Sequence, residues 1–145
     1  MITIKIKRLD STLPLPEYKT EGAVAVDLYS RTDETITPGE MKLIPTNIIV
    51  ATPPGYMFLI APRSSLAKKK GLVMTNSVGI IDQDYCGEND EIHLLLQNFT
   101  KENVVITRGE RLGQGIFVKI EKAGWQEVEK MNEISRGGFG TTGQF

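Results

Sequence analysis

The chain opens on strict alternation. Ile2, Ile4 and Ile6 fall on one face, and Thr3, Lys5 and Lys7 on the other. That is the period of a half-buried strand. Six further runs follow: "AVAVDLYS" (23–30), "MKLIPTNIIV" (41–50), "YMFLIAP" (56–62), "IHLLLQNF" (92–99), "NVVIT" (103–107) and "GIFVKI" (115–120). They are rich in Val and Ile and lie between Gly, Pro, Asn and Asp, which predicts short antiparallel strands. One short helix is expected over "RSSLAKKKG" (63–71), opening on polar residues and closing at Gly71. "AGWQEVEKMNEIS" (123–135) reads as a helical turn or an irregular strand. No repeat or linker interrupts the pattern. The expectation is one β-rich domain over 1–134. The glycine-rich segment 135–145, "SRGGFGTTGQF", is expected to be a mobile tail.

Composition narrows the classes. Of 145 residues, 40% are hydrophobic and 24% charged, enough for a core without disulfides or metal staples. The formal net charge of −1 offers no basic field for nucleic acid. A single cysteine, Cys86, allows no internal disulfide and fits a reducing compartment. The alternating start predicts no signal peptide, and no apolar run is long enough to span a bilayer. A cytoplasmic protein is expected.

Three familiar motifs nearly form. "GFGTTG" (138–143) has the glycine spacing of a dinucleotide loop, but only Gln144 and Phe145 follow it, leaving no helix to receive a phosphate. "DQDYCG" resembles the start of a calcium loop, yet Cys86 and His93 stand where oxygen ligands are needed. One His and one Cys do not make a zinc site. Read from residue preference alone, Asp82 and Asp84 are turn-formers, Tyr85 is a half-buried turn aromatic and Ser64 an N-cap.

Five segments in order carry more: "AVAVDLYS", "APRSSLAKKKGL" (61–72), "NSVGIIDQDYCGE" (76–88), "RGERLGQGIF" (108–117) and "RGGFGTTG" (136–143). Together they resemble the five motifs of the trimeric dUTPases. The resemblance implies an all-β, jelly-roll-like barrel or sandwich with one short helix and a flexible C-terminal tail. It also implies a homotrimer with shared active sites and hydrolysis of dUTP to dUMP and pyrophosphate.

The same resemblance assigns roles. The stretch around Gly79 is expected to be a tight β-hairpin, and its backbone at Gly79 and Ile81 would read uracil with help from Asn76. Buried polar groups left unpaired by a wrong base make such a site selective. Tyr85 would pack on deoxyribose and refuse a ribose hydroxyl. Asp82 would activate the water that attacks the α-phosphorus. Arg63, Ser64 and Ser65 would hold phosphates at a helix N-terminus, and Gln114 would donate to one more. Asp27 would help hold Mg²⁺, largely through water. Phe139 would stack on the base, while Arg136, Gly140, Thr141 and Thr142 would clasp the terminal phosphates.

The match has departures. The family arginine usually stands further ahead of the phenylalanine than Arg136 stands of Phe139. Gly113 replaces a usual alanine, and "ENDE" lengthens the loop after Gly87. The alternative is a dCTP deaminase on the same fold, alone or bifunctional. It needs a catalytic glutamate where this chain has Leu95, and Glu91 is the nearby carboxylate that could replace it.

Overall fold

The computed structural model describes residues 2–138. Its strands are β1 (Lys5–Arg8), β2 (Val26–Tyr29), β3 (Glu34–Ile36), β4 (Met41–Pro45), β5 (Ile48–Ala51) and β6 (Tyr56–Pro62). A helical turn (Leu66–Lys70) precedes β7 (Leu72–Met74), β8 (Gly79–Ile81), β9 (His93–Asn98), β10 (Val104–Ile106) and β11 (Arg111–Lys119). Every pairing is antiparallel. The ladders are β1-β5, β10-β3, β2-β11-β6-β8 and β4-β9-β7. All of them face one core, which takes Leu28, Ile36, Ile44, Phe58, Ile60, Leu94, Leu96, Ile106 and Leu112 from six strands and the bulge in β11. This is the all-β, jelly-roll-like arrangement expected.

Alternation explains most of it. β9 buries Leu94, Leu96 and Asn98 and turns the residues between them outward. Asn98 is a polar residue inside, and its amide is satisfied by the carbonyls of Ile36 and Glu102 at 2.8 and 2.7 Å.

Several expectations change. The run 41–50 is two strands, because Asn47 takes a left-handed φ of 73° between them. The first ladder begins only at Lys5. The segment 123–135 is neither helix nor strand; it leaves β11 with Trp125 96% and Ile134 97% exposed. The expected helix is a single π-type turn ended by left-handed Gly71. The Gly79 hairpin is not a ladder between sequence neighbours. β7 joins β9, while β8 crosses to β6.

Candidate active site

Four side chains gather at one end of the β2-β11-β6 ladder. Asp27 pairs across to Gln114, and Gln114 across to Ala61, so these three side chains share a face. Arg111 and Gln114 are three apart and would point oppositely in a regular strand. A bulge between Arg111 and Gly113 corrects this by inserting one unpaired residue. Arg111 therefore reaches Asp27, with Nη1 donating to Oδ2 at 3.0 Å. Arg63, just past the end of β6, forms an ion pair with Asp27, its Nε 3.1 Å from Oδ1. Its Nη1 also donates to the Arg111 carbonyl at 3.3 Å. Gln114 donates to the Pro62 carbonyl at 3.0 Å. Asp27 thus holds two guanidinium groups whose remaining N–H donors are free to turn to phosphate.

Beside them lies a cavity of about 460 Å³ lined by Arg63, Ser65, Lys69, Lys70, Glu110 and Arg111. Lys70 is neutralised by Glu110 at 2.9 Å. Ser65, not Ser64, is the N-cap, and its side chain makes no capping bond. Its hydroxyl remains available inside the cavity. Ser64 is exposed. A helix of one turn carries little dipole, so charge here comes from side chains and not from a helix N-terminus. Sequence reasoning missed Arg111; its place in "RGERLGQG" beside Gln114 was the available signal.

The segment expected to read the base is an edge strand. β8 lies last in the order β2-β11-β6-β8 and pairs only with β6. Every second residue of an edge strand offers its N–H and C=O outward, which is what recognition of a base edge needs. Asn76 and Ser77 form the turn ahead of it. The N–H of Ser77 donates to Met74 at 3.1 Å and that of Val78 to Asn76 at 2.6 Å. Ser77 is left-handed at φ 62°, a strained state for a residue with a side chain.

Asp82 follows Ile81, opposite the start of β6. It lines a cavity of about 420 Å³ with Tyr56, Ile80, Gln83, Asp84 and Lys122. Gln83 pins the turn by donating to the Tyr56 carbonyl at 2.8 Å. The Tyr85 N–H closes it on the Asp82 carbonyl at 3.3 Å. Tyr85 is 40% exposed, and its hydroxyl donates to the Glu91 carbonyl at 3.2 Å.

Glu91 is buried, with 5% exposure. Arg31 grips its carboxylate with two bonds of 2.8 Å, and the Asn47 N–H adds a third at 2.8 Å. Burial pushes the Glu91 carboxyl up, but Arg31 and the Asn47 N–H pull harder, leaving it below the usual carboxylate value. A carboxylate bound in this way is not a free acid or base, so it cannot replace the glutamate a deaminase needs. Leu95 keeps that place on β9.

The expected site residues therefore form two groups. Asp27, Arg63, Ser65 and Gln114 meet at one end of the sheet, and Asp82 and Tyr85 lie past the other. Asn76, Gly79 and Ile81 run between. Arg136 is exposed. Phe139, Gly140, Thr141 and Thr142 lie outside the described residues. Among the described residues no cluster of three acidic, His or Cys side chains exists to cage a metal. No helix among them is long and apolar enough to cross a membrane.

Comparison with known proteins gives a consistent result. The dUTPase family model matches residues 11–143. Deoxyuridine 5'-triphosphate nucleotidohydrolases of Dictyoglomus turgidum and a Thermoanaerobacter species are 42% and 44% identical to this chain. The first match covers 99% of both chains, the second 98% of both. A crystal structure of a Streptococcus mutans dUTPase is 31% identical with a TM-score of 0.76, covering 83% of this chain and 98% of that one. A Staphylococcus bacteriophage 80alpha dUTPase with dUPNHPP is 25% identical with a TM-score of 0.86, covering 99% of each chain. On these matches, and on the fold and side-chain groups described above, the chain belongs to the dUTPase family.

Proposed function

We propose that this chain hydrolyses dUTP to dUMP and pyrophosphate, with Asp82 as the general base. Asp82 would take the proton of a water as the water oxygen bonds the α-phosphorus; the bond to the bridging oxygen breaks and pyrophosphate leaves. The observation that carries the reading is the position of Asp82. It directly follows an edge strand fit to read a base. Its carboxylate makes no hydrogen bond or ion pair among the described residues, and it faces an open cavity. A positioned base is worth about 10²- to 10⁴-fold. β8 and Asn76 would read uracil, and the ring of Tyr85 would lie on the sugar. Arg63, Arg111, Ser64, Ser65 and Gln114 would hold phosphate oxygens. Arg136, Phe139, Gly140, Thr141 and Thr142 would complete the cover, as the family resemblance implies.

A divalent ion fits this chain in one way only. Both oxygens of Asp27 are already paired with arginine, so Asp27 suits water held by an ion and not the ion itself. Mg²⁺ keeps several waters and binds through substrate phosphates. When bound, it would neutralise the triphosphate and favour departure of pyrophosphate.

We also propose a homotrimer with shared sites. Ile81 pairs with Phe58, which puts Asp82 alongside Met57, whereas Arg63 lies past Pro62. Six residues of extended chain span roughly 20 Å, too far for both groups to act on one α-phosphate. A second copy must supply one of them. The exposed apolar residues of 123–135 give such copies something to cover. A cytoplasmic setting suits the lone, exposed Cys86 thiol.

The test is a panel of deoxy- and ribonucleoside triphosphates with Mg²⁺, assayed for pyrophosphate and for ammonia. Pyrophosphate from dUTP alone is expected, and ammonia from dCTP would replace the reading with deamination. Asp82→Asn should lose at least about 10²-fold in kcat and still bind a non-hydrolysable dUTP analogue. Turnover surviving that change would remove Asp82 from the mechanism.

A further inference from the structure

The loop from Asp82 to Ile92 joins β8 to β9 without any ladder of its own. Its internal ties are local. The Gly87 N–H donates to Asp90 Oδ2 at 2.6 Å, and the Asp90 N–H returns to the Gly87 carbonyl at 3.2 Å. Gln83 ties its near end to Tyr56 and Lys7 pairs with Glu88 on its surface, while its far end is anchored in the core. The Ile92 N–H donates to Ile48, its carbonyl accepts from Thr46, and the Glu91 carboxylate sits in the grip of Arg31 and Asn47.

That grip is itself braced. Asn47 exchanges two bonds with Asp10: the Asp10 N–H donates to Asn47 Oδ1 at 2.7 Å, and Asn47 Nδ2 donates to the Asp10 carbonyl at 3.0 Å. The left-handed Asn47 backbone then aims its N–H at Glu91. With its side chain held by three bonds, Glu91 has little freedom to move its carbonyl. That carbonyl accepts from His93 Nδ1 at 2.8 Å and from the Tyr85 hydroxyl at 3.2 Å. A carbonyl has two lone pairs, so both fit.

We propose that Glu91 is a positioning residue for sugar discrimination. Clamped by Arg31 and Asn47, it fixes the carbonyl that tethers Tyr85 and so sets where the tyrosine ring meets the sugar. This rests on the proposed placement of Tyr85 on deoxyribose. It gives a half-exposed ring on a loop without ladder bonds the definition that selection against one hydroxyl requires.

The experiment compares the full-length protein with Glu91→Gln, Tyr85→Phe and the double variant. Steady-state kinetics are run on dUTP and UTP, and NMR follows ring-labelled tyrosine. Each single change should raise KM for dUTP about fivefold, the weight of one net hydrogen bond. Each should narrow the dUTP-to-UTP ratio of kcat/KM, with kcat altered less. The double variant should be no worse than the poorer single one, because both remove the same tether. Glu91→Gln should also shift the Tyr85 ring signal, identified by its loss in Tyr85→Phe. Additive effects, or a folded Glu91→Gln with an unchanged ratio and an unmoved Tyr85 signal, would overturn the inference. Wild type inert on dUTP would instead sink the proposed function, and the NMR comparison would still decide the clamp. If Glu91→Gln fails to fold, Tyr85→Phe decides alone: an unchanged sugar ratio overturns the tether.

Discussion

Asp82 and Arg63 stand at opposite ends of β6, separated by the length of that strand. The β2-β11-β6 ladder gathers the side chains proposed to hold phosphate, and β8 carries the proposed base-reading edge and the candidate base away from them. Two half-sites on one chain are useful only if copies associate so that unlike halves meet.

Subunit mixing should show this. Asp82→Asn and Arg63→Gln, each nearly inactive alone, should regain activity when unfolded, mixed in equal amounts and refolded together. Random association leaves about a quarter of sites with both groups intact, so about a quarter of wild-type turnover is expected. Turnover no higher than the sum of the parents would place both groups in one chain's site.

Asp27 aims two arginines and, in the proposed mechanism, faces the waters of Mg²⁺. Asp27→Asn keeps the shape but weakens its pairing with two arginines. A drop of about tenfold in kcat/KM for dUTP is expected, with a higher Mg²⁺ concentration needed for half-maximal rate. An unchanged Mg²⁺ midpoint would separate Asp27 from the metal.

Two glycines of β11 should differ sharply. A Cβ on Gly115 would lie 2.1 Å from the Phe58 ring, which is buried and stacked on Phe117 with centroids 4.5 Å apart. The buried Phe58 ring must shift to admit the methyl, so Gly115→Ala should cost about 1–3 kcal/mol. Thermal unfolding should shift down by several degrees. A Cβ on Gly113 meets the terminal methyls of Leu94, at 2.9 and 3.0 Å, which are the far end of a flexible side chain and can swing aside, and the Ala61 carbonyl oxygen at an ordinary 3.4 Å. Gly113→Ala should leave Tm nearly unchanged. Equal shifts for the two would mean that packing at Phe58 is looser than its geometry.

The strands that alternate were legible in the sequence: β6 and β9 bury side chains at every second position. β3 and β7 are three residues each, too short to show a period. The break at Asn47 was hidden because its left-handed turn depends on Asp10 and Glu91, both distant in sequence. Within the site, the motif residues were legible but their distances were not. Arg111 reaches Asp27 only because a bulge turns it, and the pairing of Glu91 with Arg31 spans sixty positions of chain. The crossing of β8 to β6, which divides the site, is likewise a long-range choice that local pattern does not encode.

Acid stability should carry the signature of Glu91. Its carboxyl is depressed in the folded protein relative to an ordinary value near 4.5, because the pull of Arg31 and Asn47 outweighs burial. A depressed carboxylate stabilises the fold above the unfolded value and loses that contribution as pH falls through the folded one. Glu34, Glu40 and Glu88 are lowered too and act in the same direction, but they remain in Glu91→Gln. The difference between wild type and Glu91→Gln therefore isolates one group. Wild type should be the more stable at neutral pH, and its advantage should shrink as pH drops below about 4.5. Thermal melts at a series of pH values would measure it. Parallel curves for the two proteins would mean that Glu91 enters the fold by shape and not by charge.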